Sequence, residues 1–367
     1  MAADFTMPGG TTQGASTAST GTAGTGNRRP LAGRAAPQAG HGYTTNLADA
    51  RLGARAVACS DEFFAPMSRM LQSHDAVFLP DKYDDHGKWM DGWESRRRRR
   101  GGHDFCVVRL ATPGEVFAVD IDTSHFTGNF PPAASLEGCR CKGDPDDSTE
   151  WTALVEPAPI GPDAHHRFEV AGAGVVTHVR LNLLPDGGVA RLRVFGRPYP
   201  DWGALAERGA VDLGCARNGA VAVAWNNSHY GHPSNILRPD RARDAGEGWE
   251  TRRRREPGHD WCIIALARPG IIDRVVVDTS HYKGNFPDRC SLQGALLAEH
   301  FGKLQESVIA QSMFWPLLLP EQPLQADREH TFVIPGDVPQ PVSHVHLNII
   351  PDGGVARLRL FGTPVED

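Results

Sequence analysis

Two stretches of this chain set a glutamate just ahead of a string of arginines. They are Trp93-Glu94-Ser95-Arg96-Arg97-Arg98-Arg99-Arg100 and Trp249-Glu250-Thr251-Arg252-Arg253-Arg254-Arg255. An extended chain sends alternate side chains to opposite faces. Glu94, Arg96 and Arg98 then share one side, as do Glu250, Arg252 and Arg254. Guanidinium grips a carboxylate with a fixed two-pronged geometry. Arg96, Arg98, Arg252 and Arg254 are therefore candidate binders of an acidic ligand, and Arg97 and Arg99 are free to hold acids of the chain or of a neighbouring subunit. A solvated or nucleic-acid-binding patch is the alternative. Glu94 and Glu250 read as internal counter-ions or as catalytic acids.

The histidines offer proton transfer near neutral pH. His103-Asp104 and His259-Asp260 each head an apolar strand, at a sheet end. Neighbours on a strand point apart, so they form no dyad by sequence alone. His125 and His281 follow Asp122-Thr123-Ser124 and Asp278-Thr279-Ser280, in loops that run on to Asn129 and Asn285. Asp, Ser and Asn there can also simply build an Asx turn. Asn129 and Asn285 can pair with amide-like groups. Asp186 and Asp352 belong to Pro-Asp-Gly-Gly turns, which structure alone explains. His344-Val345-His346 has metal-ligand spacing, but the matching stretch is His178-Val179-Arg180. Cys139 and Cys141 are an isolated C-x-C with no second pair at zinc spacing. No metal ligands and no cofactor are expected, and help from a divalent ion is left open. No phosphate-binding loop, zinc-protease helix or serine-nucleophile elbow is present.

These residues recur because the chain is a duplication. The Trp-Glu, His-Asp and Asp-Thr-Ser-His blocks return 156 residues later, as Trp93 and Trp249 show. Leu181-Asn182-Leu183-Leu184-Pro185-Asp186-Gly187-Gly188 returns 166 residues later from Leu347. The second repeat thus carries ten extra residues between Gly294 and His344, expected near Glu299 to Gln311. The first repeat is longer before Trp93, over the polar, turn-rich Asp81 to Asp91. Val179, Leu181 and Leu183 alternate with polar residues, as do Leu192 and Val194. The stretch from Phe105 to Leu110 is expected to end at Pro113-Gly114 before a second strand, Val116 to Ile121. Period-two patterning with frequent turns predicts antiparallel β-sandwiches. The expected division is a disordered low-complexity tail (1–40), repeat one (41–198), a linker (199–210) with a weak helical signal from Trp202 to Arg208, and repeat two (211–367).

Composition sets the class. Apolar residues are 40% of the 367 and charged residues 22%, which suits a soluble protein with a core. No apolar run approaches the roughly 18 residues of a membrane span. With 38 basic and 44 acidic residues the net charge is −6, which argues against a nucleic-acid partner. Seven cysteines without a regular framework, and no signal-peptide pattern, read as reduced thiols in a cytoplasmic protein.

The paired Trp-Glu-Ser/Thr-Arg-Arg-Arg-Arg, His-Asp-Phe/Trp-Cys, Asp-Thr-Ser-His-Phe/Tyr-x-Gly-Asn-Phe-Pro and Leu-Asn-x-x-Pro-Asp-Gly-Gly-Val-Ala-Arg-Leu-Arg blocks resemble the allantoicase (allantoate amidinohydrolase) family from about residue 45 to the end. The resemblance implies an all-β fold of two tandem jelly-roll sandwiches of the galactose-binding-like type. It also implies a homo-oligomer, and hydrolysis of allantoate to (S)-ureidoglycolate and urea in purine-nitrogen salvage. Arginine would hold the substrate carboxylate, Asn129 or Asn285 the ureido groups, and His with Asp or Glu would move protons. The competing readings are a non-catalytic β-sandwich that binds a small molecule or carbohydrate, and an RNA-binding protein using its arginine runs.

Overall fold

The computed structural model describes residues 44–172, 174–298, 305–336 and 340–365. The tail expected over 1–40 lies outside the described residues, as does the first part of the second-repeat insertion. In repeat one the strands are β1 (Thr45–Asn46), β2 (Arg55–Cys59), β3 (Tyr83–Asp84), β4 (Gly87–Lys88), β5 (Trp93–Glu94), β6 (Asp104–Asp122), β7 (Ala133–Cys139), β8 (Thr152–Pro159), β9 (His165–Glu169), β10 (Val175–Leu184), β11 (Gly188–Val189) and β12 (Arg191–Pro198). A short helix, α1 (Trp202–Ala206), follows, and Asp201 caps it by accepting from the Ala204 N–H. Repeat two repeats the plan: β13 (Val211–Asp212), β14 (Val221–Trp225), β15 (Trp249–Glu250), β16 (Asp260–Asp278), β17 (Arg289–Ala295), β18 (Leu317–Pro323), β19 (Glu329–Val333), β20 (Val342–Ile350), β21 (Gly354–Val355) and β22 (Arg357–Pro364) stand where repeat one has β1, β2 and β5 to β12, and its insertion carries α2 (Gln305–Ser312).

Strand β6 belongs to both layers of its sandwich. Residues Asp104 to Arg109 pair with β2 and β10, while Gly114 to Asp122 pair with β12 and β9. One layer thus runs β2-β6-β10-β7-β8 and the other β1-β12-β6-β9. The expected stop at Pro113-Gly114 is not a break between two strands: a single 19-residue strand runs through it. Pro113 falls where the β10 register jumps from Arg109 to Gly114, so its missing N–H removes no bond of that ladder. A Cβ on Gly114 would sit 2.9 Å from the Arg197 carbonyl oxygen, so glycine is what lets β6 and β12 approach this closely there. This course returns both ends of β6 to one end of the sandwich. There the Asp104 N–H donates to the Pro185 carbonyl, and the Ala190 N–H donates to that of Asp122.

The core lies between the layers. Cys106, Val108, Val119, Ile121, Val179, Leu181, Leu183, Leu192 and Val194 alternate inward and are almost wholly buried. Trp93 and Trp249 are fully buried and donate their indole N–H to the Asp61 and Asn227 carbonyls. Each buries on the order of 200 Å², worth about 5 kcal/mol at ~25 cal/mol/Å². They fix the start of each Glu-Arg stretch. The repeats touch through equivalent arginines: Arg51 pairs with Asp240 and Glu247, and Arg217 donates to the Leu52 carbonyl.

Candidate active site

The turn from Pro185 to Gly188 organises one end of repeat one. Its carbonyls and N–H groups join three segments: the Ser95 N–H donates to Gly187 O, the Asp104 N–H to Pro185 O, and the Gly188 N–H to Asn129 O. Gly187 has φ +141, and a Cβ there would lie under 3 Å from the backbone of Asn129 to Pro131. The Glu, His-Asp and Asn segments, far apart in sequence, are therefore anchored to a single turn. Residues 351–354 do the same in repeat two, where Thr251, Asp260 and Gly354 make the equivalent bonds.

Glu94 is half-buried and accepts a hydrogen bond of 2.7 Å from Asn129 Nδ2. Burial raises its carboxyl above the usual glutamate range, and the Asn129 bond only partly offsets this. Glu250 accepts likewise from Asn285, in a more exposed setting. The two glutamates and the two asparagines of the sequence expectations thus form a Glu–Asn pair in each repeat.

His125 and His281 lie in left-handed backbone, at φ 70° and 74°. The preceding Asx turns form, with Ser124 and Ser280 N–H donating to Asp122 and Asp278. The Asp163 and Asp327 carboxylates accept from the His125 and His281 N–H at 2.8 and 2.7 Å. In each ring Nε2 faces a carbonyl, Ala76 at 3.2 Å and Ala242 at 3.0 Å. A carbonyl only accepts, so the neutral ring carries its proton on Nε2 and leaves Nδ1 as a proton acceptor. The loop is thus a built turn that also presents a base. His125 is half-buried and stacks on Phe78, whereas His281 is exposed.

The arginine runs are extended chain rather than strand beyond Glu94 and Glu250. Arg98 pairs with buried Asp104 at 2.6 Å, and its N–H donates to Asp186 at 2.7 Å. Ser60 also donates to Asp104. Arg96 binds Asp61, whose carboxyl burial would raise; the Arg96 bonds outweigh that and hold it low. It is Arg96 and Arg98, not Arg97 and Arg99, that hold acids of the chain. Arg97, Arg99 and Arg100 are exposed and make no ion pair among the described residues. Arg98 Nη2 makes no hydrogen bond among the described residues. In repeat two, Arg254 pairs with Asp260 at 2.6 Å and with Glu256 at 3.7 Å, and Arg252 pairs with Glu256 at 2.7 Å. Glu256 stands where repeat one has Arg100.

Asp104 and Asp260 are buried anchors for arginine, and His103 and His259 are exposed beside them, so no His-Asp dyad forms. His259 donates to Asn348 Oδ1 at 2.9 Å. Sequence reasoning missed Asp61, Asp163 and Phe78, because their contacts depend on strand pairing and on the path of the first-repeat insertion. A cavity of about 410 Å³ lies elsewhere, at the end where β10 begins, lined by Arg55, Arg109, His178 and Arg217 among others.

Comparison with known proteins bears on both repeats. The allantoicase repeat family matches residues 45–199 and again 211–365. A "Probable allantoicase 2" of Burkholderia pseudomallei is 59% identical over 318 residues, 86% of this chain and 94% of that protein. A "Probable allantoicase" of Pseudomonas aeruginosa is 53% identical over 87% of this chain and 96% of its own length. The crystal structure of allantoicase from Saccharomyces cerevisiae superposes with a TM-score of 0.72 at 33% identity, covering 87% of this chain and 93% of that one. The chain belongs to the allantoicase family.

Proposed function

We propose that this chain hydrolyses allantoate to ureidoglycolate and urea, and that repeat one houses the working site. The observation that carries the reading is the family match across both repeats, joined to a Glu94–Asn129 pair held beside an arginine run that keeps free donors. Allantoate bears a carboxylate and two ureido groups on one carbon. Arg98, oriented by Asp104, takes the carboxylate. Asn129 spends its amide N–H on Glu94 and keeps Oδ1 for a ureido N–H. Glu94, with its raised carboxyl, gives a proton to the leaving ureido nitrogen as the C–N bond breaks. His125 Nδ1 takes a proton from the water that forms the new C–O bond. Substrate carbon, water and the two proton carriers balance, and urea departs neutral.

A homo-oligomer belongs to the same reading, and sedimentation of the purified chain tests it. No helix among the described residues is long and apolar enough to cross a membrane. The deciding experiment is urea release from allantoate by purified full-length chain. Turnover that Glu94→Gln removes supports the reading; binding of allantoate without turnover would favour a non-catalytic binding protein.

A further inference from the structure

The first repeat carries a second constellation away from Glu94 and His125. Cys139 closes β7, and His178 stands opposite it in the β10 register. The chain then curls so that Cys141 Sγ lies 3.9 Å from Cys139 Sγ and 3.4 Å from His178 Nδ1. All three donor atoms lie within 4.8 Å of one another. Around a tetrahedral zinc, with bonds of about 2.3 Å to sulfur and about 2.0 Å to nitrogen, two sulfurs sit about 3.8 Å apart and sulfur and nitrogen about 3.5 Å. The two Cys141 Sγ spacings match those edges closely, and the third, from Cys139 Sγ to His178, stays within 4.8 Å. Thiolate and imidazole together favour zinc-class ions over calcium or magnesium.

His178 adds an independent sign. It is 2% exposed, yet its Nε2 has no hydrogen-bond partner among the described residues. Asp144 Oδ1 waits 3.7 Å from that nitrogen, where a carboxylate would orient a metal-bound imidazole. Thr177 Oγ1 lies 2.9 Å from Nδ1, but its hydroxyl can turn to the Cys139 carbonyl at 3.3 Å when that nitrogen is occupied. Cys141 and His178 line the Arg55–Arg109–Arg217 cavity, whose positive wall suits an anion or a metal-bound hydroxide. Repeat two has Ala295 and Leu297 where repeat one has Cys139 and Cys141. The set is also remote from the proposed reaction: five residues of β10, about 17 Å of strand, separate His178 from Leu183, the register partner of Asp104.

We propose that repeat one binds one zinc-class divalent cation through Cys139 Sγ, Cys141 Sγ and His178 Nδ1, with a fourth position open to the arginine-lined cavity. Binding releases the two thiol protons. The test uses full-length chain, reduced under anaerobic conditions, loaded with zinc and dialysed. Expected are one zinc per chain and, on cobalt substitution, thiolate-to-cobalt charge-transfer absorption. Cys141→Ser and His178→Gln should each weaken zinc binding by more than about 100-fold, and Asp144→Asn by about tenfold, as outer partners do. An unchanged melting temperature of the zinc-free variants shows that they remain folded. Should His178→Gln fail to fold, the half-exposed Cys141→Ser decides alone. A reduced chain that retains no zinc, a thiol pair that only closes to a disulfide, or a Cys141→Ser chain that keeps the cobalt charge-transfer band would each overturn the proposal. None of these readouts depends on turnover of allantoate.

Discussion

In repeat one, Glu94 is half-buried, His125 stacks on Phe78 from the longer segment before Trp93, and three arginines stand unpaired in solvent. In repeat two, His281 and Asn285 are exposed, and Glu256 ties up both Arg252 and Arg254. The Glu, Asn, His and first four Arg are the same in both. What differs is the cover and the local charge. Among the described residues, repeat one presents three exposed arginines without an ion pair, and repeat two presents two, Arg253 and Arg255, next to a Glu256 that offsets part of the local charge. Burial holds the Glu94 carboxyl above the usual glutamate range. Identical residue types can thus serve catalysis in one copy and scaffolding in its twin.

The largest effect that would break this comparison is on turnover. Glu94→Gln should lower kcat by about 100- to 10,000-fold, the range for losing an acid–base group, whereas Glu250→Gln should stay within about fivefold. Equal losses would mean two working sites. The proton-donor role also fixes a pH sign. Since Glu94 is raised, kcat falls as pH climbs through its shifted value, and Glu94→Gln abolishes that limb. His125→Asn and His281→Asn, which tolerate left-handed backbone, should split the same way, with only the first costing about 100-fold.

Stability separates the repeats next. Arg191 is fully buried and pairs with Asp91 at 2.6 Å, while its counterpart Arg357 pairs at 2.8 Å with the partly exposed Asp240. Asp91→Ala strands a buried charge and should cost about 3–5 kcal/mol in denaturant unfolding. Both arginines keep backbone carbonyl partners; Asp240 is a third exposed, so Asp240→Ala should cost less, about 1–2 kcal/mol. The reverse order would show that the Arg51 contact between the repeats matters more than burial within one.

Substrate affinity sharpens the same contrast more gently. Arg98→Gln should lower kcat/KM by about 10- to 100-fold, as one lost charged hydrogen bond does. Arg254→Gln should leave it nearly unchanged.

The smallest expected effect is an acid limb from the two neighbouring buried histidines of repeat two. Burial holds His344 and His346 down to about 4, and His259 adds to the shift at His346. The unfolded chain binds those protons near pH 6.5. Their stability contribution is therefore complete above that pH and drains away as pH falls towards 4. His346→Gln should flatten the fall of melting temperature between pH 6.5 and 4. A slope that stays the same would place the acid sensitivity elsewhere.

Much of this was legible in the sequence. The duplication, the inward faces of β10 and β12, and the pairing of long insertions with differing covers follow from repeat offsets and period-two patterning. The bent β6 was not legible, because Pro-Gly usually marks a turn and only register shows that no ladder bond is lost at Pro113. Glu94 and Asn129 were visible as separate candidates; their contact needed the Pro185–Gly188 turn to draw both segments in. Arg98 finding Asp104 is a short-range event, whereas Arg96 finding Asp61 spans 35 residues. Cys139 and His178 lie 39 positions apart and meet only because β7 and β10 are neighbours in that register. A single sequence displays residue types and spacing, but not which strands pair.

The shared strand β6 has a consequence for cutting the chain. A nick at Pro113-Gly114 would leave β1, β2 and half of β6 on one piece, and the other half with β7 to β12 on the second. Each layer would then draw strands from both pieces. Neither fragment could bury the inner face of repeat one alone, so the repeat-one strands of each should be largely unfolded in isolation, while repeat two keeps its own core. Mixed together, they would restore the sandwich only as a pair. The bend is thus a natural place to split this protein into two halves whose reassembly reports on their encounter.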